Sequence, residues 1–261
     1  MKRGAHVLVT GGAGAIGAAI ARAVVRRDPT ARVTVVDVDR EGAEREAGRL
    51  GEEARALAWD LERPETLPEH VGALVDARGP VDVLVNCAGI MEVRSLVATD
   101  WRLAERLLQV DLTSPLRLMA LVVPSMVARG SGTVVNVSSM AGVTPLRGCA
   151  YYGAAKAGLA MASEIARLEL APHGVHVVTV YPGPVRSSLE QRARSQAKPT
   201  LLARWLPTGD AAPLAERVLD ACERRRPRVV YPGFYDLASR FPGLASRVTS
   251  AASPAPIDGP G

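Results

Sequence analysis

The feature that most constrains this chain is a short apolar strand that runs directly into a glycine-rich turn near the N-terminus. Residues 6–17 have the sequence HVLVTGGAGAIG, and the apolar run at 7–9 is typical of a strand buried on both faces of a sheet. Gly12, Gly14 and Gly17 follow with the spacing GxGxxG, and an alanine-rich helical pattern begins beside them. Glycines let such a turn bring backbone amides and a helix N-terminus against a pyrophosphate. The segment therefore predicts a dinucleotide site, with an ordinary structural turn as the alternative.

An acidic residue at the expected distance supports the dinucleotide interpretation. The next apolar run, residues 33–36, ends in Asp37. This residue lies about twenty positions beyond Gly17, where a carboxylate binds ribose hydroxyls in such folds. Because strand, turn, helix, strand and acid occur in this order, the ligand-free turn is the less favoured alternative.

Composition narrows the class of protein further. The chain has 261 residues, a size typical of one α/β domain, and 48% of them are hydrophobic, which is enough for a large core. The net charge of +5 arises from 32 basic and 27 acidic residues spread along the chain, with no basic block interleaved with aromatic residues. We therefore expect no nucleic-acid partner. Because no signal peptide and no apolar run of membrane-spanning length is evident, we expect a cytoplasmic protein without a membrane partner.

The three cysteines, Cys87, Cys149 and Cys222, do not have the spacing of metal ligands. Small buried thiols in a reducing compartment are the simplest interpretation. We expect no metal ion.

Strand and helix patterns alternate along the chain, and this alternation requires a parallel sheet covered by helices on both faces. We expect a single domain over residues 1–249 and a disordered tail over 250–261, which has little apolar surface. A long helical region should bend near Pro115 and Pro124. Beyond the first two strands, the pattern predicts strands at residues 54–59, 81–85, 132–138 and 175–180, and helices at 40–53, 66–78, 101–129 and 150–171.

Groups suited to acid–base chemistry follow the fifth predicted strand. Ser138 and Ser139 lie at its carboxyl end, the edge at which open parallel sheets bind ligands. Tyr152 and Lys156 lie four residues apart in the next predicted helix, so the phenol and the ammonium share one face. A neighbouring cation favours the phenolate, which should lower the pKa of Tyr152 from about 10 toward neutrality and suit it to proton exchange with an alcohol or ketone. Tyr151 has no cation at this spacing, so we expect it to pack or to form pocket wall.

Five motifs, in this order, resemble the short-chain dehydrogenase/reductase family over roughly residues 2–231. The resemblance implies a Rossmann-like, doubly wound α/β fold of about seven parallel strands in the order 3-2-1-4-5-6-7, with helices on both faces. The motifs are TGGAGAIG at residues 10–17, with Ala15 where the family more often has a glycine; Asp60, matching the acid that contacts adenine; NCAG at 86–89, with Cys87 for the second asparagine of NNAG; VNVSS followed by YGAAK; and the Pro-Gly pair at 182–183.

The resemblance also implies a role for each matched residue. Tyr152 would be the general acid/base, Lys156 would hold the nicotinamide ribose and tune Tyr152, and Ser139 would position the substrate oxygen. The implied contacts with the cofactor are Thr10, Gly11, Gly12, Gly14, Ala15, Ile16, Gly17, Asp37, Asp60, Leu61, Asn86, Ala88, Gly89, Tyr152, Lys156, Pro182, Gly183, Val185 and Ser187.

One position departs from the family pattern. The family's catalytic asparagine, which holds a water in a proton relay through the lysine, corresponds to Asp111 in VDLTSPL. A carboxylate can also hold a water but adds a charge near Lys156, so we place Asp111 among the catalytic residues. The alternative is a carboxylate that only bonds local backbone in a bent helix.

Asp37 favours NAD over NADP as the cofactor. Its carboxylate can accept both ribose hydroxyls of NAD and would repel the 2′-phosphate of NADP. Gly14 and Val38 stand where NADP-dependent relatives usually carry a basic residue. Arg40 begins a charged helix and is more simply a solvated side chain.

The predicted function is an NAD-dependent oxidoreductase that interconverts a secondary alcohol and a ketone on a mostly hydrophobic small molecule. In the family, the segment after the Pro-Gly pair is a mobile lid, here about residues 184–207. The alternative is a catalytically weak NAD-binding sensor or scaffold protein, which Asp111 alone favours. Lid side chains that would suit a steroid-, lipid- or polyketide-like substrate are Leu189, Leu201, Leu202, Trp205 and Leu206, beside the basic residues Arg186, Arg192, Arg194 and Lys198.

The helices at residues 101–129 and 150–171 are apolar around much of their circumference, for example at Leu116, Leu118 and Met119. More apolar surface than one sheet face can cover indicates contact between subunits. Because relatives commonly pair through these two helices, we expect a homodimer or homotetramer.

Overall fold

A computed structural model describes residues 2–198, 207–236, 243, 249 and 253–258, and within them the chain forms one parallel sheet. The sheet has seven strands in the order β3-β2-β1-β4-β5-β6-β7, with every neighbouring pair parallel, so the predicted Rossmann-like fold is confirmed. The strands are β1 (His6–Thr10), β2 (Arg32–Asp37), β3 (Arg55–Ala58), β4 (Val83–Asn86), β5 (Gly132–Val137), β6 (Val175–Pro182) and β7 (Arg228–Tyr231).

Helices cover both faces of this sheet. Three of them pack on one face: α1 (Ala15–Arg27), α2 (Arg40–Leu50) and α8 (Ala211–Glu223). Three pack on the other: α3 (Leu67–Arg78), α5 (Ser114–Ala128) and α6 (Ala150–Leu170). Two shorter helices, α4 (Trp101–Leu108) and α7 (Ser188–Ser195), flank the carboxyl edge of the sheet.

Alternation along the strands builds two separate cores. In β1, Val7 and Val9 join the core under α1 and α8, whereas Leu8 between them joins the core under α3 and α5. All three are fully buried, because successive side chains of a strand point to opposite faces and both faces are covered. The short apolar run in the sequence is therefore the centre of the molecule.

The long helical region after β4 is interrupted just before Pro115, one of the two prolines near which the sequence predicted a bend. Helix α4 ends at Leu108, a single π turn follows over Gln109–Thr113, and α5 begins at Ser114. Pro115 lies at the second position of α5, directly after this turn, where it cannot donate a backbone N–H to the preceding turn. Pro124 lies inside α5, which continues beyond it to Ala128.

By length and composition, Trp101–Ala128 passes the test for a membrane-crossing helix within the described residues, although the sequence predicted no such run. Its apolar side chains are used inside the fold. Leu118 and Met126 are fully buried against the sheet, and Met119 and Val122 pack beside them. This is the packing of a core helix.

The structure places residues 253–258 of the tail, for which the composition predicts disorder, against the segment around Lys198. Ala255 accepts a backbone hydrogen bond from Lys198, and Ile257 donates one to Gln196. The other tail residues, and the lid residues 199–206 with Leu201, Leu202, Trp205 and Leu206, lie outside the described residues.

Candidate active site

A cavity of about 770 Å³ lies at the carboxyl ends of the strands, where ligands bind in open α/β sheets. Its lining includes residues that follow β1, β2, β3, β4, β5 and β6, together with part of α7. Its volume is within the range of cofactor and substrate sites. The predicted motifs therefore converge on one cavity.

The glycine-rich turn forms one end of this cavity. Gly11 has a φ of +65°, which favours glycine. A Cβ on Gly17 would lie 2.2 Å from the Gly11 carbonyl oxygen, so helix α1 packs directly against the turn. Gly14 is the N-cap of α1 and offers no side-chain cap. The first amides of α1 are thus left for a ligand, which is the geometry that a pyrophosphate requires.

Three residues predicted to contact the cofactor do not line the cavity. Thr10 Oγ1 instead accepts hydrogen bonds from the N–H groups of Cys87 and Ala88, at 3.1 and 3.2 Å. Asn86 donates to Asn136 Oδ1 at 2.8 Å, and a Cβ on Gly12 would lie 2.5 Å from Val35 Cγ1. Thr10, Gly12 and Asn86 therefore shape the turns that line the cavity, because their own atoms are already engaged beneath them.

The remaining predicted contacts do line it. They are Gly11, Gly14, Ala15, Ile16, Gly17, Asp37, Asp60, Leu61, Ala88, Gly89, Tyr152, Lys156, Pro182, Gly183, Val185 and Ser187.

Asp37 is held rigidly at the end of β2. Its Oδ2 accepts from the Ala13 N–H at 3.0 Å, and its Oδ1 accepts from the Asp39 N–H at 3.1 Å. Each oxygen keeps a further lone pair for a ligand hydroxyl. Around it, the described lining residues that follow β1, β2 and β3 include Asp39, Asp60 and Glu62 but neither lysine nor arginine. This end of the cavity is acidic.

Ser139, Tyr152 and Lys156 meet at the other end. The Tyr152 hydroxyl shares a hydrogen bond with the Ser139 side chain, and Lys156 Nζ lies 5.9 Å from the centre of the Tyr152 ring. Ser138, the neighbouring serine, donates instead to the Lys156 carbonyl oxygen at 2.8 Å and so ties β5 to α6. The structure therefore gives the two serines different tasks, with only Ser139 bonded to the phenol.

Asp111 lies behind Lys156 and is completely buried. Its Oδ1 lies 3.0 Å from Lys156 Nζ, and its Oδ2 accepts from the Ile90 N–H at 3.3 Å. The π turn presents this carboxylate toward α6, a use of π turns that is frequent at functional sites. Gly89 permits the approach, because a Cβ there would lie 2.7 Å from Asp111 Oδ1. Since Asp111 does not line the cavity, it acts through Lys156.

The ionisation of the cluster differs from the prediction. Burial raises the pKa of Tyr152; the ammonium of Lys156 opposes this rise, and the carboxylate of Asp111 adds to it. Burial lowers the pKa of Lys156, but Asp111, Tyr152 and Cys87 together outweigh it and the net shift is upward. The expected fall of the Tyr152 pKa toward neutrality is therefore wrong for the protein without ligand, because burial and Asp111 outweigh the lysine.

Tyr151 does not line the cavity. Its ring meets Trp101 edge to face at a centroid distance of 6.4 Å, so of its two predicted roles the structure shows packing. Cys87 and Cys149 also line the cavity, and burial raises the pKa of the Cys149 thiol to about 11.

The wall near Tyr152 is mostly apolar. Met91, Val93, Met140 and Leu146 line it, and Leu189 of α7 joins them. Of the basic lid residues, Arg186 pairs with Asp210, Arg192 lies 3.8 Å from Glu92, and Arg194 pairs with Glu190. These guanidinium groups are engaged by the protein's own carboxylates, as expected for a solvated helix face.

Sequence reasoning missed the C-terminal part of the wall. Ser253 and Pro254 line the cavity, and Gln196 supports the same region. The proline- and alanine-rich tail carries no periodic pattern, so only its long-range contacts place it here.

The fold and this cavity define a class, the dinucleotide-binding oxidoreductases with a doubly wound sheet. The family described as short chain dehydrogenase matches residues 5–198. The chain is 32% identical over 206 residues to the 3-oxoacyl-(acyl-carrier-protein) reductase of Vibrio cholerae, with 79% of this chain and 83% of that protein covered. It is 32% identical over 189 residues to the 3-alpha-(or 20-beta)-hydroxysteroid dehydrogenase of Mycobacterium tuberculosis, with 71% of each chain covered.

Among solved structures, the chain resembles a short-chain dehydrogenase from Sphingobium yanoikuyae in complex with NADPH. The TM-score is 0.79 at 28% identity, with 95% of each chain covered. This chain belongs to the short-chain dehydrogenase family of oxidoreductases and has the family's nicotinamide-cofactor fold.

Proposed function

We propose that this protein is an NAD-dependent oxidoreductase that interconverts a secondary alcohol and a ketone on a mostly hydrophobic small molecule. The observation that carries the proposal is the cluster of Ser139, Tyr152 and Lys156, in which a phenol bonded to a serine faces an apolar cavity beside a buried ammonium. The glycine turn and Asp37 at the other end of the same cavity provide the place for a dinucleotide.

The residues of the cluster handle the proton of the reaction. A nicotinamide cofactor held by the glycine turn and Asp37 would supply the hydride chemistry between the alcohol and the ketone. Tyr152, as phenolate, takes the hydroxyl proton during oxidation and gives it back during reduction. The substrate oxygen is therefore neutral in both the alcohol and the ketone. Ser139 holds the substrate oxygen beside that phenol through its hydroxyl.

Lys156 and Asp111 set how readily Tyr152 gives up its proton. Lys156 Nζ also donates to the Val137 carbonyl oxygen at 3.1 Å, so the ammonium is fixed between β5 and the carboxylate. A fixed ammonium favours the phenolate, whereas the Asp111 charge disfavours it. Asp111 is thus a positioning residue that keeps Lys156 protonated and moderates its effect on the tyrosine.

The choice of NAD rests on the charge of the cavity end beside Asp37. A 2′-phosphate there would meet Asp37 with no basic residue among the described lining residues that follow β1 to β3. Two arginines of α2 lie nearby but are paired: Arg40 with Glu44, at 4.0 Å, and Arg45 with Asp39, at 3.7 Å. The Sphingobium yanoikuyae enzyme was solved with NADPH, so a direct comparison of the two cofactors is the test of this part.

The apolar wall supports a hydrophobic substrate. Met91, Val93 and Leu146 line the cavity beside Tyr152, and the lid arginines are already paired. The related Mycobacterium tuberculosis protein is named for hydroxysteroids and the Vibrio cholerae protein for a ketoacyl group, so both substrate types belong in a first screen.

The alternative function is a catalytically weak NAD-binding sensor or scaffold, and the raised pKa of Tyr152 favours it. A panel of secondary alcohols with NAD, followed by nicotinamide absorbance, separates the two. We expect NAD reduction with at least one bulky apolar alcohol. Binding of NAD in calorimetry without reduction by any alcohol, and without the reverse reaction on the matching ketones, would favour the sensor.

A further inference from the structure

The tail residues 253–258 lie across the substrate end of the cavity and are held by bonds to three different segments. Ser253 Oγ accepts from the Arg147 N–H at 2.8 Å, and the Ala255 carbonyl oxygen accepts from the Lys198 N–H at 2.9 Å. Asp258 Oδ1 accepts from the Ser95 N–H at 2.9 Å. The tail therefore joins the lid segment at Lys198, the loop before α4 and the loop before α6.

Gln196, just after α7, is the junction of this arrangement. Its carbonyl oxygen accepts from the Ile257 N–H at 2.8 Å, and its Oε1 accepts from the Val93 N–H at 2.9 Å. Its Nε2 donates to Glu92. The next residue, Ala197, pairs with Pro256 as an antiparallel bridge. One side chain thus fixes the lid to the loop that carries Val93, while its backbone fixes the lid to the tail.

Two tail residues face the cavity. Ser253 is only 8% exposed, and both it and Pro254 line the cavity, as do Leu146, Cys149 and Ala193. By contrast, Ile257 is 49% exposed and does not line it. Pro254 therefore adds an apolar surface to the cavity next to Ser253, which is bonded to Arg147. Cys149, two residues beyond Arg147, packs with Tyr152.

We propose that Pro254, held in place by Ser253 and by the Gln196 junction, is a specificity-determining wall of the substrate compartment that contacts the apolar part of bulky substrates. This inference rests on the proposed oxidation of secondary alcohols. It assigns to the tail the selection of substrate size, and it leaves cofactor binding and proton transfer to the residues already described.

The test uses the full-length protein with isopropanol as the small alcohol and cyclododecanol as the bulky one, with NAD. Pro254→Trp should lower kcat/KM for cyclododecanol by about tenfold or more, since small changes in an apolar pocket alter specificity by this order. The value for isopropanol should stay within about twofold. Pro254→Ala should shift the ratio toward the bulky alcohol, which keeps the test decisive if the tryptophan variant does not fold.

Ile257→Trp is the matched control, because it adds the same ring to the same segment outside the cavity. It should leave both kcat/KM values and the affinity for NAD unchanged. If the unmodified protein oxidises both alcohols but neither Pro254 variant changes their ratio, or Ile257→Trp changes it equally, the wall is refuted while the proposed function stands. If the unmodified protein oxidises no alcohol although it binds NAD, the proposed function fails and the inference fails with it.

Discussion

Asp111 and Lys156 lie 3.0 Å apart with almost no exposure to solvent, and this pair governs the chemistry available to Tyr152. Asp111 Oδ1 has no hydrogen-bond partner of good geometry, so the lysine charge is its main compensation. In the low dielectric of the interior, each charge therefore strongly affects the other and the nearby phenol. The negative charge of Asp111, more than any difference in side-chain shape, distinguishes this site from that of a family member with asparagine at the same position.

Replacing Asp111 by asparagine tests the pair. The carboxylate raises the pKa of Tyr152, and alcohol oxidation needs the deprotonated phenol. Asp111→Asn should therefore move the rising limb of the kcat/KM profile to lower pH and keep or improve turnover. The measurement is kcat/KM against pH for both proteins with one accepted alcohol. Superimposed profiles would show that Asp111 is electrically remote from Tyr152, and loss of all turnover would mean that the carboxylate itself takes part in the chemistry.

Cofactor choice is also decided by single charges. Asp37→Ser together with Val38→Arg removes the carboxylate and adds the missing cation, so the affinity for NADP should rise relative to that for NAD. Calorimetry of both cofactors with the unmodified and the doubly substituted protein measures this shift. Tighter binding of NADP than of NAD by the unmodified protein would refute the assignment.

At the scale of elements, the sequence predicted the inner strands well because β1, β2, β4 and β6 are short apolar runs whose central residues are buried. The run at 33–36 became β2, and the glycine spacing placed α1 correctly. The π turn at Gln109–Thr113 carries no comparable pattern, since its register depends on the contact of Asp111 with Lys156. The tail was missed for the same reason, because its order comes from partners more than fifty positions away, such as Gln196 and Arg147.

The site was predicted less completely than the fold. The cluster of Ser139, Tyr152 and Lys156 lies together as the motifs indicated. Thr10 and Asn86 belong to two other matched motifs, TGGAGAIG and NCAG, but their side chains are bonded beneath the cavity. A motif records both the residues that touch a ligand and those that shape the backbone around it, and spacing alone cannot separate the two.

Two glycine-to-alanine substitutions test the role of the turn as an element. In Gly17→Ala the new Cβ would lie 2.2 Å from the Gly11 carbonyl oxygen, so the free energy of unfolding should fall by about 1–3 kcal/mol and NAD affinity should drop. Gly48→Ala in α2 is the control. It meets nothing within 4 Å and should raise the free energy of unfolding by at most about 1 kcal/mol. Denaturant unfolding and calorimetry measure both; equal effects would contradict the close packing of turn and helix.

At the scale of the whole molecule, the exposed apolar surface is formed by other residues than the examples that the sequence predicted. Leu118 and Met119 are buried within the chain, and Leu116 packs against the same core. The exposed apolar side chains near that region are Leu96, Val97, Trp101, Met161, Ile165 and Leu168, most of them on α4 and α6. Such a cluster on neighbouring helices still supports the proposal of a homodimer or homotetramer.

The oligomer is tested by placing a charge in that cluster. Light scattering at micromolar concentration should give a mass of at least two chains for the unmodified protein. Ile165→Glu should lower the mass, because a carboxylate in an apolar interface lacks a partner. Val38→Arg, an apolar-to-charged change at an exposed position far from the cluster, should leave the mass unchanged. A monomeric unmodified protein would refute the proposal.

The whole account depends on Tyr152 as the group that exchanges the substrate proton. The most direct test is NAD reduction by an accepted secondary alcohol in the unmodified protein, in Tyr152→Phe and in Tyr151→Phe, with NAD affinity measured for each. The account predicts that Tyr152→Phe binds NAD normally but loses about 10² to 10⁴ in kcat, whereas Tyr151→Phe, which packs against Trp101, keeps most activity. Undiminished turnover in Tyr152→Phe, or a large loss confined to Tyr151→Phe, would contradict it.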